Sequence, residues 1–532
     1  MCGIFAYKGS LIPFEELEKQ FMKLQHRGPD NMQIDVDPQK KVFLGFHRLS
    51  IMDLTSKGNQ PFVDGTIRLL CNGEIYNHES LKQEINYKCH SASDCEILLP
   101  LIEKFGLLET SKKLDAEFAL IWYDHKTQKM MAARDPIGIR PLFWGKTTSG
   151  EIAFASEVKA LVDICEFVEA FPPGFIWDGN ELIEFSDAGC QPKKTLSGSE
   201  PMKEKEVLYG ISYKLTEGVR KRMGADAPIG FLLSGGLDSS LICALAAKIS
   251  DKPIKTFSVG SNIDAIDNKY AELVAKHIGA EHTTVLFTQQ DATSRLDELI
   301  RKLETWDITT IRASVGMDFV CEWIHKNTNI KVLMTGEVSD ELFGYKYTDY
   351  APNATEFQNE AIKRMRELYI YDVLRADRCI SGHSLESRVP FGDLNFVSHV
   401  MNIPAEMKMN THGQGKYLLR KAFSNINLLP EEILYREKAA FSDAVGHSIV
   451  DGIKFYAETN ISDKELLDAK QKYSYGTPLT KEALLYRNIF ERHYPGRSEL
   501  IKDFWLPNKN WENCNVTDPS ARVLPNYGDS GK

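Results

Sequence analysis

Two stretches of this chain hold residue types and spacings that could do chemistry. Near the start stands Met1-Cys2-Gly3-Ile4-Phe5. Once the initiator Met is removed, Cys2 carries a thiol nucleophile and an α-amine on one residue. Such an amine has a pKa of about 8, so near neutral pH much of it can act as a base beside the thiol. The second stretch is Ile229-Gly-Phe-Leu-Leu-Ser-Gly-Gly-Leu-Asp-Ser-Ser240. Its apolar run Ile229–Leu233 has the length of a buried strand, and the apolar run Leu241–Ala247 that follows reads as helix. Gly235 and Gly236 permit a tight turn and the close approach of a ligand. Strand, glycine turn and helix start together present N–H groups and the positive end of a helix dipole, which suits phosphate or pyrophosphate. No lysine follows the glycines as it does in G-x-x-x-x-G-K-[ST], so this is not that pattern.

Elements must position these groups. Phe14, Leu17, Phe21 and Leu24 recur at helical spacing. Val42–Ile51, Ile67–Cys71, Glu117–Tyr123 and Met130–Arg134 read as strands, with Asn72–Asn77 and Ser93–Glu96 as polar turns between them. Many strands and few helices predict stacked antiparallel sheets. From Asp187 to Lys205 the chain is polar and turn-rich. The expected organisation is therefore a first domain at 1–186, a connector at 187–205, a second domain at 206–510 and a polar, poorly ordered tail at 511–532. In the second domain strands and helices alternate: helix Val207–Met223, strand Ile254–Val259, helix Lys269–Gly279, strand Thr283–Phe287, helices Ser294–Leu303 and Met317–His325, strand Lys331–Thr335. That alternation predicts a doubly wound parallel α/β sheet whose ligands bind beyond the carboxyl ends of its strands. Ser234, Val259 and Thr335 stand at three such ends.

Composition narrows the partners. At 532 residues the chain has room for two or more cores. A net charge of −10 offers no basic footprint for nucleic acid or an anionic membrane. No apolar run of about 18 residues predicts a membrane-spanning helix. Glu15, Glu16 and Glu18 fall where a signal peptide would be apolar, so a cytoplasmic location is expected. The ten cysteines are scattered without C-x-x-C spacing and are expected as free thiols. A homodimer is compatible with the chain, and nothing in it requires one.

Six motifs stand in order through residue 160: MCGIF, HRGPD at 26–30, HRLSI at 47–51, NGEIYN at 72–77, SDCE at 93–96 and RDPIGIRPLF at 134–143. This set resembles the glutamine amidotransferase domain of the N-terminal-nucleophile class. The resemblance implies a sandwich of antiparallel sheets with flanking helices, in which Cys2 attacks the carboxamide of glutamine and forms a thioester. It further implies an oxyanion hole from Asn72 and the Gly73 N–H, with Arg48 on the glutamine α-carboxylate. Glu74 and Asp94 would hold the α-ammonium, and Leu49, Ser50, Ile51 and Met52 would complete the wall. An amino-acid substrate needs such a pair of cationic and anionic clamps.

The Ser234–Ser240 loop resembles the SGGxDS loop of the ATP pyrophosphatases. TTIRAS at 309–314, TGEVSDELFG at 335–344, Ser387–Pro390, Glu437–Asp443 and Asp518–Arg522 are similar to segments of the asparagine synthetases, so the likeness runs to about residue 525. It implies ATP as a substrate on Leu233, Ser234, Gly235, Gly236, Asp238, Ser239, Val259, Thr335 and Gly336. Mg²⁺ would sit on Asp238, Lys438 would neutralise leaving-group charge, and Glu337 would be needed to form an acyl-adenylate. Aspartate would be the acceptor, with Thr310 and Arg312 as candidate contacts. Val338 and Tyr345 stand where the pattern has glycines, and Gly316 also departs from it. A second reading keeps both half-sites and changes the acceptor, as in β-lactam-forming relatives, although these commonly lose the cysteine. A third is a sensor with dead sites, whose mark would be loss of Cys2, Arg48, Asp238 or Glu337; all four are present.

Overall fold

A computed structural model describes residues 1–37, 41–191, 202–261, 265–436 and 447–527. Alternating side chains in the N-terminal strands build its first layers. One six-stranded antiparallel sheet has the order Phe167–Ala170, Phe143–Lys146, Ile152–Ala155, Gly3–Lys8, Val42–Arg48, Asn31–Asp37. The other runs Leu182–Glu184, Phe175–Trp177, Lys129–Arg134, Ala116–Asp124, Ile67–Ile75, Phe62–Asp64. Ile4, Ala6, Leu44 and Phe46 of the first share one core with Leu70, Ala119, Ile121 and Ala132 of the second. The intervening residues point the other way: Phe5, Tyr7 and Phe43 pack on the helix Phe14–Met22. Leu69, Cys71, Phe118 and Leu120 likewise pack against residues of the helices His78–Ile85 and Leu98–Lys113. Period-two alternation buried on both faces yields the layered sandwich expected.

One expected turn is strand. Asn72, Gly73, Glu74 and Ile75 continue the strand that begins at Ile67 and pair with Ala119, Phe118, Glu117 and Ala116. Glu74 pairs with Arg388 and Asn72 Oδ1 accepts the Cys2 N–H, so backbone pairing survives a sequence that reads as loop.

The second half holds a five-stranded sheet, all parallel, in the order Glu281–Leu286, Lys255–Gly260, Ile229–Leu232, Val332–Met334, Glu386–Arg388. The chain builds outward in one direction from Ile229–Leu232 and then returns to its other side. The crevice at that reversal lies beyond the strand ends, where ligands of open parallel sheets bind. The helix expected at Met317–His325 runs from Ile308 to Asn327 and is capped by Asp307, which accepts the Thr310 N–H at 2.7 Å. Its β-branched first turn hides the helical start from a propensity reading.

Two boundary expectations need restating. Residues 192–201 of the expected connector lie outside the described residues, but Ala188 and Cys190 are buried in the core of the second half. The segment after Trp511 is no loose tail as far as Tyr527: Trp511, Cys514 and Leu524 are buried beside Tyr347 and Phe357. Apolar anchors spaced through a polar stretch are sufficient to seat it. The halves meet through buried ion pairs. Arg27 reaches Asp377 at 2.9 Å, Arg222 reaches Glu117 at 2.8 Å, and Arg388 reaches Glu74 at 2.9 Å.

Candidate active sites

The first strand of the sandwich brings Cys2 against the strand Ile67–Ile75. The Cys2 backbone N–H donates to Asn72 Oδ1 at 2.9 Å, and its Sγ lies 3.4 Å from the Leu49 N–H. Burial raises the thiol pKa above its ordinary value. Asn72 is buried, yet its Nδ2 has no hydrogen-bond partner among the described residues. A buried amide donor left without a partner costs about 1–3 kcal/mol and calls for an explanation.

A small cavity of about 30 Å³ opens there, lined by Cys2, Arg48, Leu49, Ile51, Met52, Asn72, Gly73, Glu74 and Asp94, with Cys71, Cys95 and Glu386 among others. Every expected glutamine contact but Ser50 therefore lines one space. Ser50 instead donates its N–H to Asp30 Oδ2 at 2.8 Å. Arg48 reaches the pocket with its fork already engaged, by the Thr55 carbonyl at 2.6 Å, Asn59 Oδ1 at 2.7 Å and the carbonyls of Met52 and Asp53. Glu74 lies on Arg388, and Asp94 accepts the Ile75 N–H at 2.6 Å. Burial, the largest cause, holds both carboxyls above their ordinary pKa.

The second site forms at the carboxyl ends of the parallel strands, in a cavity of about 280 Å³. Gly235 makes the loop turn at φ 72°, and a Cβ there would stand 2.6 Å from Tyr270 Cβ. The helix Leu237–Ile249 then aims its N-terminus at the cavity. Leu233, Ser234, Gly236, Asp238, Ser239, Val259, Thr335, Gly336 and Glu337 all line it. Gly235 does not; it shapes the turn, and its carbonyl accepts from Arg436 at 3.0 Å. Thr335 Oγ1 is buried with no partner among the described residues. Lys438 lies outside the described residues.

Two expectations are corrected. Arg312 does not line the cavity: its guanidinium is taken by Glu482 at 2.5 and 2.8 Å and by Asp518 at 2.7 Å. Thr310 is turned to Asp307, to which its hydroxyl donates at 2.7 Å. The helix phase explains both. Thr309, Ala313, Met317 and Val320 follow helical spacing and present one face to the cavity, and residues 310 and 312 fall off it.

The residues missed are cationic and acidic groups far apart in sequence. Lys416 meets Asp238 at 2.6 Å, Asp340 at 2.5 Å and the Ser339 hydroxyl at 2.9 Å. Its left-handed φ of 58° follows the Gly413-Gln-Gly415 turn, the one local signal it had. Arg375 joins Glu337 at 2.9 Å to Asp372 at 3.2 Å. Glu341 and Tyr345 complete the far wall. Burial first, then the charges of Asp372 and Asp340, push the Glu341 carboxyl up to about 8. Among the described residues no group of three or more His, Cys, Asp or Glu is arranged to hold a metal ion, and no helix is long and apolar enough to cross a membrane.

Residues 1–174 match the Glutamine amidotransferase domain family, and residues 210–360 and 347–517 match the Asparagine synthase family. The chain is 40% identical to the asparagine synthetase [glutamine-hydrolyzing] of Cricetulus griseus and 39% identical to that of Homo sapiens, with all of both chains covered in each case. A probable asparagine synthetase [glutamine-hydrolyzing] of Acanthamoeba polyphaga mimivirus is 40% identical, over 99% of this chain and all of its own. Two matched domains, two lined cavities and full-length likeness agree: the chain belongs to the glutamine-hydrolysing asparagine synthetase family.

Proposed function

We propose that this enzyme runs glutamine-dependent asparagine synthesis as two half-reactions joined by ammonia. With Met1 removed, the Cys2 amine takes the thiol proton and the thiolate attacks the glutamine carboxamide. Asn72 Nδ2 and the Gly73 N–H hold the developing oxyanion, an interaction typically worth about 2.7–4 kcal/mol per donor. Arg48 binds the α-carboxylate by exchanging loop carbonyls for it, while Glu74 and Asp94 face the α-ammonium. The C–N bond breaks as the Cys2 amine returns its proton to the departing ammonia, which leaves a thioester, and water then hydrolyses it to glutamate and frees the thiol.

In the second cavity ATP lies with its pyrophosphate on the Ser234–Ser239 turn and the helix start, and its ribose beside Thr335. Aspartate attacks with its β-carboxylate, forming β-aspartyl-AMP and pyrophosphate; ammonia then displaces AMP. Glu337, held by Arg375, stands beside the reacting carboxylate. Asp238 and Asp340 both meet the Lys416 ammonium, and their remaining carboxylate oxygens are the hard donors that would hold Mg²⁺ together with phosphate oxygens. The ion would offset pyrophosphate charge, and Lys416 contributes a fixed positive charge there.

The observation that carries this reading is the unpartnered Asn72 amide beside the Cys2 thiol, in a chain whose other cavity is floored by a glycine turn at a helix start. A product assay with ATP, glutamine and a panel of acidic amino acids tests it. Asparagine, glutamate, AMP and pyrophosphate are expected in equal amounts; ADP and phosphate in place of AMP and pyrophosphate would overturn the reading of the loop.

A further inference from the structure

The wall of the large cavity opposite the phosphate turn holds a connected set of polar groups. Glu337 Oε1 takes a hydrogen bond from Arg375 at 2.9 Å, and Arg375 also donates to Asp372 Oδ1 at 3.2 Å. The Tyr345 hydroxyl lies 3.4 Å from Asp372 Oδ2 and donates to Glu341 Oε1 at 2.5 Å. All five side chains line the cavity. The Tyr345 ring is itself held. It stacks on Tyr347 with centroids 5.6 Å apart and meets Trp505 edge-on at 5.0 Å. Trp505 in turn is fastened to the cavity-lining helix, its N–H on Asp307 at 2.7 Å and its carbonyl on the Thr309 hydroxyl at 3.1 Å.

We infer that Tyr345 is the specificity-determining residue of the acceptor end: its ring limits the length of the amino acid, and its hydroxyl, with Glu341 and Asp372, receives the α-ammonium. This rests on the adenylating reading of the cavity. A ring clamped between Tyr347 and Trp505 cannot swing aside for a longer substrate. An acceptor with one extra methylene must then either leave its ammonium short of Asp372 or carry its reacting carboxylate past Glu337. Either fault separates substrates more strongly than an apolar pocket can, because buried polar groups are left without partners.

Exchange of labelled pyrophosphate into ATP, with aspartate or glutamate as the acid, tests the inference in the full-length enzyme. Wild type should exchange with aspartate; no exchange with any acid would sink the adenylating reading itself and not merely this refinement. Tyr345→Phe keeps the ring and removes the hydroxyl. It should raise the aspartate KM about three- to tenfold with kcat and the ATP KM unchanged. Tyr345→Gly opens the end and should reduce the preference for aspartate over glutamate by about tenfold or more. Glutamine hydrolysis at Cys2 reports in each variant that the chain is folded. An unchanged aspartate-to-glutamate ratio in a folded Tyr345→Gly enzyme, or a Tyr345→Phe enzyme that loses kcat at constant aspartate KM, would overturn it.

Discussion

The two cavities are built on opposite plans. The cavity at Cys2 is small, about 30 Å³, and its parts come from strands and turns within the first hundred residues, apart from Glu386. Its neighbours in space are largely neighbours in one sandwich. The cavity at the parallel-strand ends is about 280 Å³ and gathers residues from Leu232 to Leu524. Its charges are paired across the chain: Lys416 with Asp238, Arg375 with Glu337. The contrast teaches that a site made by one contiguous fold can be prepared by local backbone geometry. A site at strand ends of a parallel sheet must be closed by segments that arrive later, here as late as Ala521 and Leu524.

That contrast can be broken in order of expected effect. If the sites are separable, Cys2→Ala should abolish glutamine-dependent synthesis by more than roughly 10³-fold, while synthesis from high ammonium stays near wild type. Loss of both activities together would show that the plans are not independent. Asn72→Ala should lower kcat for glutamine hydrolysis by about 10²–10³-fold with little change in KM, since an oxyanion donor acts on the transition state. A rise in KM alone would make Asn72 a ground-state contact.

Arg312→Met separates cavity wall from scaffold. It should cost about 3–5 kcal/mol of stability in urea melts, because Glu482 keeps a buried charge without its partner. The aspartate KM should stay unchanged; a large KM increase without destabilisation would restore Arg312 to the acceptor site.

The last test concerns protons. The Glu341 carboxyl titrates at about 8 in the folded chain against an ordinary 4.5, so folding retains a proton that the unfolded chain releases. Its contribution to stability is therefore present at low pH and is lost as pH rises from about 4.5 through about 8. Glu341→Gln removes that loss. Relative to wild type, the variant's melting temperature should climb between pH 5 and pH 8.5; parallel melting curves across that interval would show Glu341 charged in the fold.

How much was legible follows the same division. The Ser234–Ser239 turn and the Val259 and Thr335 strand ends could be read from residue types, the Arg48, Asn72, Glu74 and Asp94 positions came from likeness to a known family, and each group, Gly235 apart, lines one cavity. Asn72–Ile75 was misread because its polar residues look like turn, though their backbone pairs with Ala116–Ala119. The segment after Trp511 was misread because mean polarity hides three buried anchors, Trp511, Cys514 and Leu524.

By itself the sequence determined the alternation of elements in the second half, the stacked sheets of the first, and the loop at Ser234. Glycine, hydroxyl and period-two signals act through the local backbone and need no distant partner. Only the tertiary structure decided which charged groups line a cavity. Arg312 and Arg375 are equally basic in the sequence, yet one spends its fork on Glu482 and Asp518 and the other joins Glu337 to Asp372. Lys416 reaches Asp238 at the helix start from 178 residues away. Burial makes a long-range ionic contact strong and obligatory, and which groups are buried together depends on how whole layers pack, a property no local window of sequence contains.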